Sequence, residues 1–344
     1  MKISYSLVRV WYTRLFVLLF LGASYFLLIR SSDGGIFGFD TSFWGQRKLI
    51  ARFADLRLAL GDRVFANVLV GEDGWLIFTG ERSLDNYQNT MEFSDEKIIS
   101  IHQKLVALQS RLAEQEIVLL VVIVPDKPTL YPEIIPPQIT KPNDESRLNR
   151  LLSYAEQQGS GVFVDLRSLR SDARLPYKIY SKTDSHWNDY GIFLAYQAIL
   201  QKLKKTLPYL DPYPIDQFEI VEEKPEALDL ARNIGAVNLL ESHIKLTPKF
   251  ENPVNYRALD VNNRRIHMAW TDDDGLPRLL MYHDSFGSPL SGWLALNFRE
   301  TISIPHYSGG TIWTLNWIEQ IDPDVVVIEF AERYLHDLDV LLGE

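Results

Sequence analysis

Cysteine is absent from all 344 residues, which excludes disulfides, thiolate metal sites and cysteine nucleophiles and leaves the redox compartment open. A basic excess is missing too. The chain has 35 Lys and Arg against 45 Asp and Glu, a formal charge of −10, whereas nucleic-acid binding needs a basic face to neutralise phosphates. There is no internal repeat and no low-complexity tract. With 46% apolar and 23% charged residues, the composition is that of a folded protein and excludes general disorder. The acidic run "TDDDG" (Thr271–Gly275) lacks the spaced ligands and closing glutamate of a calcium loop and reads as a solvated hairpin turn.

A long run free of charge occurs at the N-terminus. Lys2, Arg9 and Arg14 precede "LFVLLFLGASYFLLI" (Leu15–Ile29), and Arg30 closes it. At about 1.5 Å per residue this run falls short of a bilayer core of about 30 Å. Adding Trp11–Thr13 and letting the flanking arginines snorkel brings it near the lower limit. The basic residues before the run, with Asp33 and Asp40 after it, predict a cytoplasmic N-terminus and an exported body. The alternative is a cleaved signal peptide, but "IRSSDGG" puts an arginine where a cleavage site wants small residues. The expectation is therefore an uncleaved single-pass anchor over residues 1–30.

Residues 31–70 read as a linker followed by a helix over Leu49–Asp62. "NVLVGEDGWLIFTG" alternates and turns at Asp73-Gly74, as a hairpin does. Ser94 opens an amphipathic helix. "IVLLVVIVP" (Ile117–Pro125) is a continuous β-branched run, the pattern of a strand buried on both faces. Helices and strands then alternate: "RLNRLLSYAEQQ", "GVFVDL", "GIFLAYQAILQKLKK", "RLLMYH", "SPLSGWLAL", "ETISIP", "TIWTLNWIEQI" and "PDVVVIEF". This order predicts an α/β fold with a mainly parallel sheet flanked by helices, over residues 71–344. Residues 207–265 are rich in prolines and acids, have weak periodicity, and read as an insertion or lid.

Open parallel sheets bind ligands beyond the carboxyl ends of their strands, so polar residues just after strands are the first candidates. Three places qualify: Asp126-Lys127, His283-Asp284-Ser285, and Glu329 to Arg333. In "MYHDSFG" a serine at a strand-to-helix turn, with Gly287 nearby, is where a nucleophile can be held exposed beside backbone N–H groups. The competing role is that Ser285 merely caps the helix. A serine needs a base, and His283 lies too close in sequence to meet it. "KTDSHWNDYG" (Lys182–Gly191) offers a better one. In an extended segment Asp184 and His186 would point the same way, so the acid could hold one ring nitrogen and free the other for Ser285. Trp187 would face the opposite side as an anchor, Asn188 or Asp189 would cap the following helix, and Ser185 receives no catalytic role. Asp184, His186 and Asp189 are too few ligands for a metal site, so neither metal nor cofactor is expected.

These blocks resemble those of the alginate O-acetyltransferase family, periplasmic members of the SGNH (GDSL-type) hydrolase superfamily. "TDSHWNDYG" is similar to its D-x-H-W block, "GEDGWLIFTGE" to G-x-D-G-W-L-F, and "VVIVPDKPTLYPEIIP" to V-P-D-K-x-x-x-Y-P-E. "HDSFG" resembles its nucleophile block and "EFAERYL" its C-terminal E-x-x-E-R-x-L. The resemblance covers about Gly71 to Leu335 and implies a triad of Ser285, His186 and Asp184. Ser285's own N–H is one oxyanion donor. Arg333, Tyr334 and Lys127 are candidates for substrate contact, with an ion pair to Glu329 or Glu332 as the alternative role for Arg333. The implied function is transfer of acetyl to an exported polysaccharide through an acetyl-serine. A membrane-bound acyltransferase would supply the acetyl group, and the body would be periplasmic, held at the inner membrane by the N-terminal helix. An acetylesterase with the same triad, and a non-catalytic binding component of a polysaccharide assembly complex, are the alternatives.

Overall fold

The computed structural model describes residues 46–171, 176–261, 264–306 and 316–342. The apolar segment Leu15–Ile29 and most of the linker lie outside these residues, as does the first half of "TIWTLNWIEQI". Among the described residues no helix is long and apolar enough to cross a membrane. The chain divides into two units, Met1–Phe53 and Ala54–Glu344. The described part of the first is the beginning of helix α1 (Gln46–Ala59).

The second unit opens with a small antiparallel sheet of β1 (Val64–Phe65), β2 (Val68–Val70) and β3 (Leu76–Phe78). Its β2–β3 hairpin pairs Val68 with Phe78 and reverses at Asp73-Gly74, both of which take positive φ as the sequence suggested. Helix α2 (Asp95–Ala113) starts where Ser94 accepts the N–H of Lys97, and α3 (Arg147–Gln157) starts in the same way at Ser146.

The main sheet has seven strands. They are β4 (Val118–Val124), β5 (Phe163–Asp165), β8 (Asn255–Val261), β9 (Arg264–Trp270), β10 (Arg278–His283), β11 (Glu300–Pro305) and β12 (Val325–Ala331). Their order across the sheet is β5-β4-β12-β10-β11-β9-β8. The first five run parallel, and β9 pairs antiparallel with β11 and β8 antiparallel with β9. The Thr271–Gly275 turn therefore links two strands that are not neighbours, and is a crossover instead of a hairpin turn. Strands β6 (Phe218–Glu222) and β7 (Ile244–Pro248) form a separate two-stranded ribbon. Residues 207–265 thus hold this ribbon, a short helix at Asp229–Asn233 and the edge strand β8.

Burial on both sheet faces follows from the period of two along a strand. Leu120, Val122 and Val124 join one core with α4 (Asp189–Leu203) and α5 (Gly287–Leu294). Leu119, Val121 and Ile123 join another with α2 and α3. The fold is the expected α/β arrangement, mainly parallel and flanked by helices, with an antiparallel edge. Helix α6 (Asn316–Ile321) leads into β12.

Candidate active site

The carboxyl ends of β4, β10 and β12 all open on the same side of the sheet, as the register of these parallel neighbours requires. After β10 the chain turns through Asp284 and Ser285 into α5. Asp284 fixes that turn. One of its carboxylate oxygens accepts the N–H of Phe286 at 2.8 Å, the other that of Ala331 at 2.7 Å at the end of β12. Its own N–H donates to Oε2 of the fully buried Glu329 at 3.1 Å. The turn is so tight that a Cβ on residue 287 would stand 2.2 Å from Glu329 Oε2 and 2.4 Å from His283 Cβ, which accounts for Gly287. Ser285 is left exposed, and no side chain caps the start of α5, so the helix-cap role considered above is unfilled. Within the described residues its N–H makes no hydrogen bond.

The structure brings His186 to Ser285: Nε2 lies 2.9 Å from the serine Oγ, across 99 residues of sequence. His283 is not placed to compete. It is buried, its Nδ1 lies 2.6 Å from the Asp284 carbonyl, and burial pushes its pKa down to about 4.

Asp184 approaches His186 in a way the sequence did not indicate. The loop is bent, not extended, and Asp184 Oδ1 accepts the His186 backbone N–H at 2.9 Å, an Asx-type turn. That brings the same oxygen to 3.4 Å from Nδ1. Two further groups surround Nδ1. Ser185 Oγ is 3.1 Å away and Asp229 Oδ2 is 3.5 Å away, and the Ser185 hydroxyl donates to Asp229. Burial alone would lower the imidazole pKa, but hydrogen bonding and charge from Asp184 and Asp229 outweigh it and raise it to about 9. Asp229 moves the opposite way. Burial opposes its ionisation, yet its bonds to His186 and Ser185 bring it down to about 2.

Trp187 and Asn188 hold the loop as expected of them. Trp187 is buried and donates through Nε1 to the Phe286 carbonyl, and Asn188 accepts the N–H of Gly191 to cap α4. The carbonyl of Lys182 accepts twice, from Leu76 N–H at 2.9 Å and from Lys127 Nζ at 3.1 Å.

Lys127 and Arg333, candidates for substrate contact, are both buried among protein partners. Lys127 Nζ also donates to the Leu76 carbonyl at 3.0 Å, and burial lowers its pKa to about 7 against the pull of Asp184, Asp229 and Glu241. Arg333 pairs with Asp126 and, at 3.1 Å, with Glu81, so neither Glu329 nor Glu332 is its partner. Its guanidinium lies over the Phe286 ring, 5.3 Å from the centroid, beside the turn that carries Ser285. Tyr334 is half-buried and donates to Glu81. Sequence reasoning missed Asp229, Glu241 and Glu81. Their partners lie far away in sequence, so no local window shows the contacts they make.

Asp184, His186 and Asp229 present ligand atoms within 4.8 Å of one another, the one such group among the described residues. A single proton on Nδ1 satisfies these contacts, and Nε2 already faces Ser285, so we assign the cluster to proton handling.

Residues 68–266 match the family described as SGNH hydrolase-like domain, acetyltransferase AlgX. That stretch contains Asp184, His186 and Asp229 and ends before Ser285. No curated protein matches the chain by sequence. Among solved structures, PatB1 of Bacillus cereus is 17% identical with a TM-score of 0.57, over 78% of this chain and 97% of that one. The O-acetyltransferase domain of Pseudomonas putida AlgJ is 19% identical with a TM-score of 0.52, over 80% and 99%. A DHHW family protein from Eubacterium siraeum is 15% identical with a TM-score of 0.53, over 82% and 94%. At such identities the likeness is one of fold.

Proposed function

The chain belongs to the AlgX family of SGNH hydrolase-like acetyltransferases, and from that membership we propose that it passes acetyl groups to the hydroxyls of an exported polysaccharide through an acetyl-Ser285 intermediate. The observation that carries this reading is the 2.9 Å approach of His186 Nε2 to Ser285 Oγ at the carboxyl end of a parallel sheet.

In the first step His186 Nε2 takes the serine proton as Oγ attacks the acetyl carbonyl of the donor. Asp184 stabilises the resulting imidazolium through Nδ1, and the Ser285 N–H stands available to the oxyanion. The intermediate collapses, the donor's leaving group departs, and Nε2 returns the proton to it. In the second step the same nitrogen deprotonates a sugar hydroxyl, whose oxygen attacks the acetyl-serine. Ser285 Oγ leaves and recovers its proton. A membrane-bound acyltransferase as acetyl source, and a periplasmic body tethered by the apolar segment Leu15–Ile29, complete the proposal.

A second reading has one observation in its favour. Ser285 is exposed, so water could take the place of the sugar and make the protein an acetylesterase. The test incubates the purified chain with an activated acetyl ester and oligosaccharides and follows product masses. Acetylated sugar, lost in Ser285→Ala, is the expected result. Free acetate alone overturns transfer in favour of hydrolysis. Undiminished acetylation by the Ser285→Ala variant overturns the serine mechanism altogether.

A further inference from the structure

We propose that Asp229, acting through the Ser185 hydroxyl, is a second positioning carboxylate for His186 beside Asp184. The proposal rests on the reading of His186 as the base for Ser285 and extends it to a residue outside the D-x-H-W block.

The hydrogen-bond directions around Nδ1 carry it. Of the three oxygens near that nitrogen, Ser185 Oγ is nearest at 3.1 Å, against 3.4 Å for Asp184 and 3.5 Å for Asp229. A serine hydroxyl has one proton to give, and Ser185 gives it to Asp229 Oδ2. Its lone pairs are left for Nδ1, which must then carry the ring proton. That choice of tautomer leaves Nε2 free to accept from Ser285. Asp184 Oδ1 is meanwhile engaged by the His186 backbone N–H at 2.9 Å, so its side chain is occupied in shaping the loop. Asp229 is anchored through both oxygens, since Oδ1 accepts the Ser185 N–H at 2.6 Å.

The element that bears Asp229 is fixed in its turn. Leu230 and Ala231 are fully buried against Phe65, Val68 and Leu76, and the Leu230 N–H donates to the Thr183 carbonyl at 3.0 Å. Further along, Glu241 accepts the N–H groups of Lys182 and Thr183 at 2.7 and 2.8 Å and the Thr183 hydroxyl at 2.7 Å. Residues 229–241 therefore clamp residues 182–185 from one side while Lys127 holds the Lys182 carbonyl from the other. The charged groups that bear on His186 are Asp184 and Asp229. Lys127 and Glu241 lie behind them, and the Phe286 ring, 4.8 Å away between centroids, completes the surround. The raised imidazole pKa and the lowered Asp229 pKa agree with a shared proton.

The test is an NMR titration of the His186 imidazole in the full chain and in Asp229→Asn, Asp229→Glu and Ser185→Ala, with kcat and KM measured alongside. Asp229→Asn is expected to lower the imidazole pKa by roughly 1 and the high-pH plateau of kcat about tenfold, with KM unchanged. Asp229→Glu should recover part of both, and the Ser185→Ala/Asp229→Asn pair should do no more harm than either single change. An unmoved imidazole pKa in Asp229→Asn, or strictly additive losses, overturns the proposal. Because the titration needs no turnover, it decides the role of Asp229 even if Ser285→Ala should prove active and the serine mechanism fall.

Discussion

The indole N–H of Trp187 donates to the carbonyl oxygen of Phe286 at 3.2 Å, and so ties the residue after His186 to the residue after Ser285. The two rings also meet edge to face, 5.8 Å between centroids. Two loops from distant parts of the chain are thereby set in one register, and the His186–Ser285 distance depends on it. Trp187→Phe keeps an aromatic ring and removes the donor. The expected cost is about 1 kcal/mol of stability, read from denaturant unfolding. Activity should fall further, about tenfold in kcat, because a small displacement of base from nucleophile is amplified in the rate. A loss of stability with kcat unchanged would show that the bond serves the fold alone.

The pH dependence has a definite sign. With its pKa raised to about 9, His186 is largely protonated at neutral pH, and a protonated imidazole cannot accept the serine proton. The neutral fraction grows with pH, so kcat/KM should climb through the neutral range and level off only above 9. Asp184→Asn removes one of the charges that favour the imidazolium and should move this limb to lower pH while reducing the plateau. A profile already flat at pH 7 in the wild-type chain would exclude His186 as the titrating base. The same group affects stability in the opposite direction. Its favourable charge interactions are fully present below the ordinary histidine pKa and are lost as pH rises through the folded value.

Glu329 offers a separate check on the nucleophile turn. It is wholly buried, and burial reinforced by the neighbouring Asp284 pushes its pKa well above the ordinary 4.5. The folded chain therefore keeps a proton there that the unfolded chain releases, and stability drains away as pH rises above that ordinary value. Glu329→Gln supplies the same shape and a permanent donor. Relative to wild type, the variant should gain on the order of 1.4 kcal/mol per pH unit over that range, measured as unfolding free energies between pH 5 and pH 7. A constant difference between the two proteins across that interval would mean that Glu329 is ionised in the fold.

Much of this site could be read from local sequence. The β-branched runs of β4 and β12 announce strands buried on both faces, and Ser285 lies two residues past the apolar strand β10. Asp184, His186 and Trp187 lie within four residues, so the spacing carries their association. Asp229 could not be found in this way. It lies 44 residues from Ser185, on a five-residue helix in a stretch without clear periodicity. Lys127 and Arg333 illustrate the converse. Their place after strands suggested substrate contact, yet three-dimensional packing encloses them with carbonyls and carboxylates that no sequence window displays. The edge hairpin β8–β9 escaped for a related reason: its pairing with β11 joins segments that no local alternation links.

The strand order carries a consequence for assembly of the site. Ser285 depends on β10, while the loop bearing His186 hangs from β3 and from Lys127 at the end of β4. Between β4 and β10 runs β12, the last strand in chain order, which alone pairs with both. Without β12, the segments bearing Ser285 and His186 belong to two half-sheets that share no strand and meet only through the loops and helices above them. Only when β12 slots between them do Asp284 and Ala331 meet and the two halves lock at their working distance. Removing β12 is therefore expected to separate Ser285 from His186, although neither residue lies on that strand.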